Sequence, residues 1–358
     1  MKTKSIIALA LGASLIIGSC KDKDEDNKVT PVDNAITSKV LASFASNIAI
    51  ANLADLEAKA QALDVAINAF ITTPSQSTLT AAQQGWYTTR ISWEQSESFL
   101  FGPVATKELD PAIDSWPVNF VDIDSVVNGN ATYTEEFINS LDPTLKGFHP
   151  IEYLLFGQNG TRKFDELSGR QKDYLKALSA HLKRITAQMH EEWNVSGGNY
   201  ATQVSAAGTS ASTEFTTQQD AMLEIANAMI GIVDEVSAGK IEDPFAAKDA
   251  SLEESPFAKN SWTDFKNNLT GVRNVYTGKY LTQGSSISEW VQQYNKSADT
   301  KILQRIDAAI ANLGAYTTPF GEAITSQPAN ITATQTVLND LKTTMEEDLL
   351  PLILQHTK

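Results

Sequence analysis

The sequence predicts an all-α protein built as two helical bundles packed together. Apolar residues recur at helical spacing along most of the 358-residue chain. Alternating β-type runs are scarce. Helix-length segments are punctuated by Pro, Gly and Asx breaks. At roughly 100–200 residues per domain the length suggests about two domains. An apolar fraction of 42% with six Trp is enough to fill two cores.

Taken in order, the first element is a leader at 1–19. Lys2 and Lys4 precede an apolar stretch, IIALALGASLIIG at 6–18, too short to span a bilayer. Cys20 follows Ile17-Gly18-Ser19 and is the only cysteine. Small residues before a lone cysteine resemble the bacterial lipobox, which implies lipidation of Cys20 and leaves no thiol for disulfides, catalysis or metal ligation. The competing reading is plain secretion with a free thiol. KDKDEDNK at 21–28 reads as a solvated tether over 20–33. It also resembles the acidic signals that carry lipoproteins of Bacteroidetes-type bacteria to the cell surface. The expectation is a protein of the bacterial cell envelope, lipid-anchored to the outer membrane and exposed at the surface.

Two bundles follow, at 34–200 and 201–358. In the first, Val40, Leu41, Phe44, Ile48, Leu53, Leu56, Leu63, Ile67 and Phe70 mark a helix that Thr72-Thr73-Pro74 ends. A second helix runs from about 78 to 101 and stops at Gly102-Pro103. Residues 103–145 are mixed, another helix begins near 148, and a long one spans about 168–194. Residues 195–212, rich in Gly, Ser and Ala, read as the connection between halves. Helices resume at about 213–238, 261–276, 286–295, 299–315 and 331–356. Trp86 and Arg90 lie sixteen and twelve residues before Gly102, as Trp262 and Lys266 do before Gly278. An internal duplication and chance recurrence of helical spacing both produce such an echo.

Net charge is −15, from 28 Lys and Arg against 43 Asp and Glu. Without Lys2 and Lys4 it is −17. A polyanion would be repelled, which excludes nucleic acid as a partner.

The segment GWYTTRISWEQSESFLFG, 85–102, places Trp86, Arg90, Trp93, Glu94, Glu97, Leu100 and Phe101 on one stripe, within about 60° of the Glu97 direction. Tyr87, Thr88, Thr89, Ser92, Gln95, Ser96 and Ser98 fall on the other side. The aromatic stripe must face inward and takes three charges with it. A buried carboxylate must be paired, protonated or metal-bound. An Arg90–Glu94 pair at i, i+4 satisfies one glutamate and leaves Glu97 without a partner. Alternatively Glu97 and Glu94 offer oxygen to a cation, with Arg90 orienting them.

GFHPIEYLLFG, 147–157, holds one of four histidines. His149 and Glu152, three apart on a helix, can grip one ion. The plain alternative is a capping box with His149 as N-cap, Pro150 at N1 and Glu152 at N3.

Together these stretches resemble the imelysin family. Gly147-Phe148-His149-Pro150-Ile151-Glu152 is similar to its G-x-H-x-x-E signature, and RISWEQSESFLFGP (90–103) to its Trp-Glu-x-x-Glu helix. DSWPVNF (114–120) and ESPFAKNSWTDFKNNLTGVRNVYTGKY (254–280) resemble further blocks. Pro150 stands where the pattern leads one to expect a small helix former. The resemblance implies two helical bundles with a site near their interface, an envelope location and a link to bacterial iron acquisition. It makes His149, Glu152, Glu97 and Glu94 the candidate metal ligands, with Arg90, Asp114 and Glu254 as weaker or supporting ones.

Three functions remain open. One is a lipoprotein that binds a metal ion or an iron-containing ligand and serves outer-membrane transport components. One imidazole among several carboxylates suits iron, with zinc and calcium as alternatives. Another is a metallopeptidase with Glu94 as base, since a peptidase label accompanies the same motif. The third is a surface lipoprotein that takes a haem-like, glycan or protein ligand. HEEWN at 190–194 breaks the HExxH string, Tyr153 breaks HxxEH, and no GxSxG, P-loop or GxGxxG is present. His181, His190 and His356 read as surface or packing residues.

Overall fold

The apolar run after Asn34 folds as a continuous helical rod. Helix α1 (Asn34–Ser43) passes through a π-helical segment, Phe44–Ile50, into α2 (Ala51–Thr72). The computed structural model describes residues 34–358 apart from Asn119. The leader, Cys20 and the acidic tether lie outside these residues. No helix among the described residues is long and apolar enough to cross a membrane.

After Pro74 the chain re-enters helix through a capping box in which Ser75 and Thr78 exchange hydrogen bonds. Helix α3 (Gln76–Ser96) ends in a 3₁₀ turn, Glu97–Phe99. The mixed region supplies short helices at Pro103–Thr106, Phe120–Asn128 and Glu135–Ser140. Next come α4 (Phe148–Phe156) and α5 (Gly169–Trp193), the latter opened by a Ser168–Gln171 capping box. The Gly/Ser/Ala-rich connection is not free of structure. It contains a short helix, Tyr200–Ser205, because Tyr200 packs on Trp193 and Phe101.

The second half is carried by α6 (Gln218–Glu235), α7 (Ser261–Thr277), α8 (Lys296–Leu313) and α9 (Pro328–Thr344). Helix α6 continues through a π-helical segment, Val236–Ile241, into Glu242–Ala247. The described residues contain no strand, only an isolated bridge between Lys279 and Gln283, so the all-α expectation holds.

In the first half α2 packs on α3 and α5. In the second, α8 packs on α7 and α9, and α9 on α6. The halves meet where α3 lies against α7. That sandwiching covers the opposite side of α3 as well. Thr89, Ser92, Ser96 and Ser98 do not form a wet face; all are buried. Their hydroxyls are satisfied internally, Ser92 by Asp55 and Lys59, the others by nearby carbonyls. The repeat echo also stops short of charge: Lys266 is exposed where Arg90 is fully buried.

Candidate metal centre

Two glycines let the site close. Gly147, with φ of +92°, is the N-cap of α4. A Cβ there would lie 2.1 Å from the carbonyl oxygen of Ile113. Without one, the Phe148 amide donates to that oxygen at 2.7 Å, and this contact brings Asp114 beside His149. Gly271 plays the same part at the α3–α7 seam, where a Cβ would meet the Gln95 carbonyl oxygen at 2.3 Å. The close approach sets Asp264 and Asn268 against Arg90, Glu94 and Glu97.

Helix α4 starts two residues earlier than the capping-box alternative required. Gly147, not His149, is the N-cap, and Pro150 sits in the first turn, where no intrahelical amide bond is lost. Glu152 does not reach back to cap. Its Oε1 instead accepts the backbone amides of Phe257 and Ala258, at 2.9 and 2.7 Å. Its Oε2 lies 3.7 Å from His149 Nδ1 and has no hydrogen bond.

The Arg90–Glu94 pair forms but is one arm of a larger cluster. Arg90 also pairs with Asp114, with Glu254 at 2.6 Å and with Asp264 at 3.5 Å. Its guanidinium lies 5.1 Å from the Phe148 ring centroid. Glu97, left without a partner by the sequence reading, receives Lys240, whose Nζ is 3.1 Å from both carboxylate oxygens. The same ammonium is 3.7 Å from Glu94 and 3.6 Å from Glu254. Asn268 Nδ2 donates to Glu94 at 2.7 Å and Glu97 at 2.5 Å. Trp93 donates its indole N–H to Asp114 at 2.5 Å.

Six buried acids (Glu94, Glu97, Asp114, Glu152, Glu254 and Asp264) thus face two cationic side chains and one imidazole. Burial, reinforced by Glu94 and only partly offset by Lys240, holds Glu97 well above the ordinary carboxylate range. Burial raises Asp264 in the same way, against Arg90, and raises Glu152 against His149. At Asp114 burial is outweighed by Arg90 and then His149, which keep it below the usual range. Burial opposes a charge on His149, but Asp114 and Glu152 push its pKa up to about 10.

The ligand geometry fits a metal ion. His149 Nε2 is 3.2 Å from Asp114 Oδ1 and 3.7 Å from Glu254 Oε1. Metal–ligand bonds of about 2.0–2.2 Å put neighbouring ligand atoms roughly 3–4 Å apart. Asp114, His149 and Glu254 have ligand atoms all within 4.8 Å of one another, and so do Glu94, Glu97 and Asp114. Neither imidazole nitrogen has a hydrogen bond, nor does Glu254 Oε2 or Asn268 Oδ1. Buried polar atoms in a native site are normally partnered, and a bound ion would give these atoms a partner.

The structure therefore brings the metal-site candidates named from the sequence into one cluster, and Asp114 and Glu254 sit nearer its centre than the motif suggested. Glu97 reaches His149 through Asp114. Lys240, Asp264 and Asn268 escaped the sequence reading. The remaining histidines lie elsewhere: His181 against the Ala112 carbonyl, His190 on Glu57, His356 stacked on Tyr294. A cavity of about 210 Å³, lined by Glu97, Asp110, Asp114, Trp116 and Glu235, opens onto the cluster. A larger groove of about 520 Å³ runs past Phe120, Glu253 and Phe257.

The family model described as Imelysin matches residues 49–346. Iron-regulated protein A of Synechococcus elongatus is 27% identical over 324 residues, spanning 89% of this chain and 87% of that protein. A crystal structure of a protein described as an iron-regulated protein A precursor, from Parabacteroides distasonis, superposes with a TM-score of 0.83 at 26% identity, covering 92% of this chain and 97% of that one. An imelysin-like protein from Psychrobacter arcticum shares the fold, with a TM-score of 0.74 at 16% identity over 91% and 98% of the two chains.

Proposed function

The chain belongs to the imelysin family, and from that premise we propose that its buried cluster holds a metal ion, iron by preference, in the service of iron uptake. The observation that carries the proposal is the charge imbalance. Six buried acids face only Arg90, Lys240 and His149, and uncompensated buried charge costs several kcal/mol per ion. A bound cation offsets that excess of acid and takes His149 Nε2 as a ligand, displacing the proton that Asp114 and Glu152 favour on the ring. His149, Asp114 and Glu254 are the ligands this geometry favours, with Glu152 holding His149 in place. One nitrogen among carboxylate oxygens suits iron better than a thiolate-rich set would. The names of the relatives from Synechococcus and Parabacteroides point the same way.

For location, we extend the sequence expectation: lipid on Cys20 anchors the protein in the bacterial outer membrane, its acidic tether holds it at the cell surface, and it passes iron to membrane transport components there.

The metallopeptidase reading fits this geometry less well. Glu94, its base, has one oxygen on Arg90 and the other on Asn268. The His149 and Glu254 side chains are almost fully buried, so an ion fits where a polypeptide backbone does not.

The test uses protein beginning at Lys21. Ferric and ferrous iron, zinc and calcium are titrated against the wild type and His149→Ala, and both are incubated with a peptide library. Tight iron binding, weakened at least tenfold in the variant and without cleavage, is expected. A folded wild type that takes up none of these ions would overturn the proposal. Cleavage that depends on metal and on His149 would replace it with the peptidase reading.

A further inference from the structure

We propose that the cluster contains two cation positions and that Lys240 fills the second. The inference rests on the metal-site reading above and concerns how many ions the site takes.

The first position lies among His149, Asp114 and Glu254. The second lies among Glu94, Glu97 and Asp114, whose ligand atoms also fall within 4.8 Å of one another. Asp114 belongs to both, so the positions adjoin. The Lys240 ammonium sits in the second, 3.1 Å from both oxygens of Glu97 and 3.7 Å from Glu94 Oε2. Among the described residues its hydrogen bonds go to the two Glu97 oxygens. Its surroundings are those of an inorganic cation: carboxylates from Glu94, Glu97 and Glu254 and the Trp116 ring at 5.4 Å. A lysine in an acidic core is a compact point charge and an internal substitute for a metal.

A separate observation points to the same niche. Asn268 is fully buried, and its Oδ1 has no partner while its Nδ2 lies against Glu94 and Glu97. Rotating the carboxamide by 180° exchanges oxygen and nitrogen. The oxygen would then stand where the nitrogen now is, beside those carboxylates and the Glu94 carbonyl oxygen, repulsive next to these oxygens alone but suited to sharing a cation with them. The niche is also reachable, because the 210 Å³ cavity is lined by Glu97 and Asp114. The π-helical segment Val236–Ile241 sets Lys240 into it, and such segments recur at functional sites.

Manganese(II) provides the test, since its count and its magnetic coupling are both measurable. The wild type and Lys240→Arg should each bind one Mn²⁺ with an uncoupled resonance spectrum. Lys240→Gln should bind two, with the spin coupling expected of ions that share a carboxylate. Lys240→Gln/Glu97→Gln should return to one. If Lys240→Gln is unfolded alone, adding Mn²⁺ should restore a cooperative melt. A single ion in Lys240→Gln, two uncoupled ions, or no recovery with Mn²⁺ overturns the proposal while leaving one-ion binding by the wild type intact. A wild type that binds no Mn²⁺ overturns this proposal, and one that also takes up none of the ions titrated above sinks the metal-site reading itself.

Discussion

Arg90 shows how much one residue carries. It is wholly buried and touches four carboxylates. Arg90→Met should cost at least about 3 kcal/mol in chemical denaturation, the cost of stranding buried charge. Arg90→Lys should recover only part, because a point charge cannot serve four acceptors in a fork. His181 offers a cleaner proton experiment. Burial, assisted by Arg184 and Lys146, lowers its pKa to about 4 against the Ala112 hydrogen bond. Between the unfolded value near 6.5 and the folded value, only the unfolded chain takes up the proton. Stability is therefore lost as pH falls from about 6.5 towards 4, by on the order of 1–3 kcal/mol. Asp110 and Glu253, raised mainly by burial to about 7, act in the opposite sense. The difference between wild type and His181→Gln, measured at pH 7 and pH 4.5, isolates the histidine. Equal losses in the two proteins would count against it. At this scale much of the site was readable: an inward stripe must carry Arg90, Glu94 and Glu97 along, and the motif marks His149 and Glu152. Lys240 was not readable, since one lysine near a helix end is ordinarily solvated. Asp264 and Asn268 lie on a helix whose buried face is fixed only by its partner.

Among elements, the seam between α3 and α7 decides whether the cluster exists. Gly271→Ala forces a methyl group onto the Gln95 carbonyl and should cost about 1–3 kcal/mol, weakening iron binding in parallel as Asn268 withdraws. Gly147→Ala adds a left-handed backbone to a clash with Ile113. It should be the more damaging of the two in thermal melts and should separate Asp114 from His149. An unchanged iron affinity in both would show that the site does not depend on these contacts. Most helices were legible from apolar spacing, although α3 begins at Gln76, ahead of the expected start near 78. Phe320–Ser326 and Glu242–Ala247 were not. They are six or seven residues long, under two turns of periodicity, and their stability comes from packing. Nor does sequence spacing announce the π-helical segments, because one wide turn leaves the apolar pattern on either side intact.

For the whole molecule, the site draws residues from Arg90 to Asn268, so it forms only when both halves have folded. Iron should then act as a folding ligand. At a free concentration a hundred times its dissociation constant it would add about 2.7 kcal/mol. That corresponds to a rise of roughly 5 °C in melting temperature, absent in His149→Ala. The all-helical class was legible because periodicity is a local signal. The meeting of the halves was not, because it depends on contacts such as Gly271 on Gln95, between residues some 176 positions apart.

The bond from the Trp93 indole to Asp114 gives this protein a built-in optical gauge. An ion settling on Asp114 would perturb a fluorophore one hydrogen bond away, and an open-shell ion such as ferric iron would darken it. Emission should fall stepwise as iron is added and level off at saturation, and Trp93→Phe should remove most of that fall. Loading could then be followed in real time, without attaching a dye.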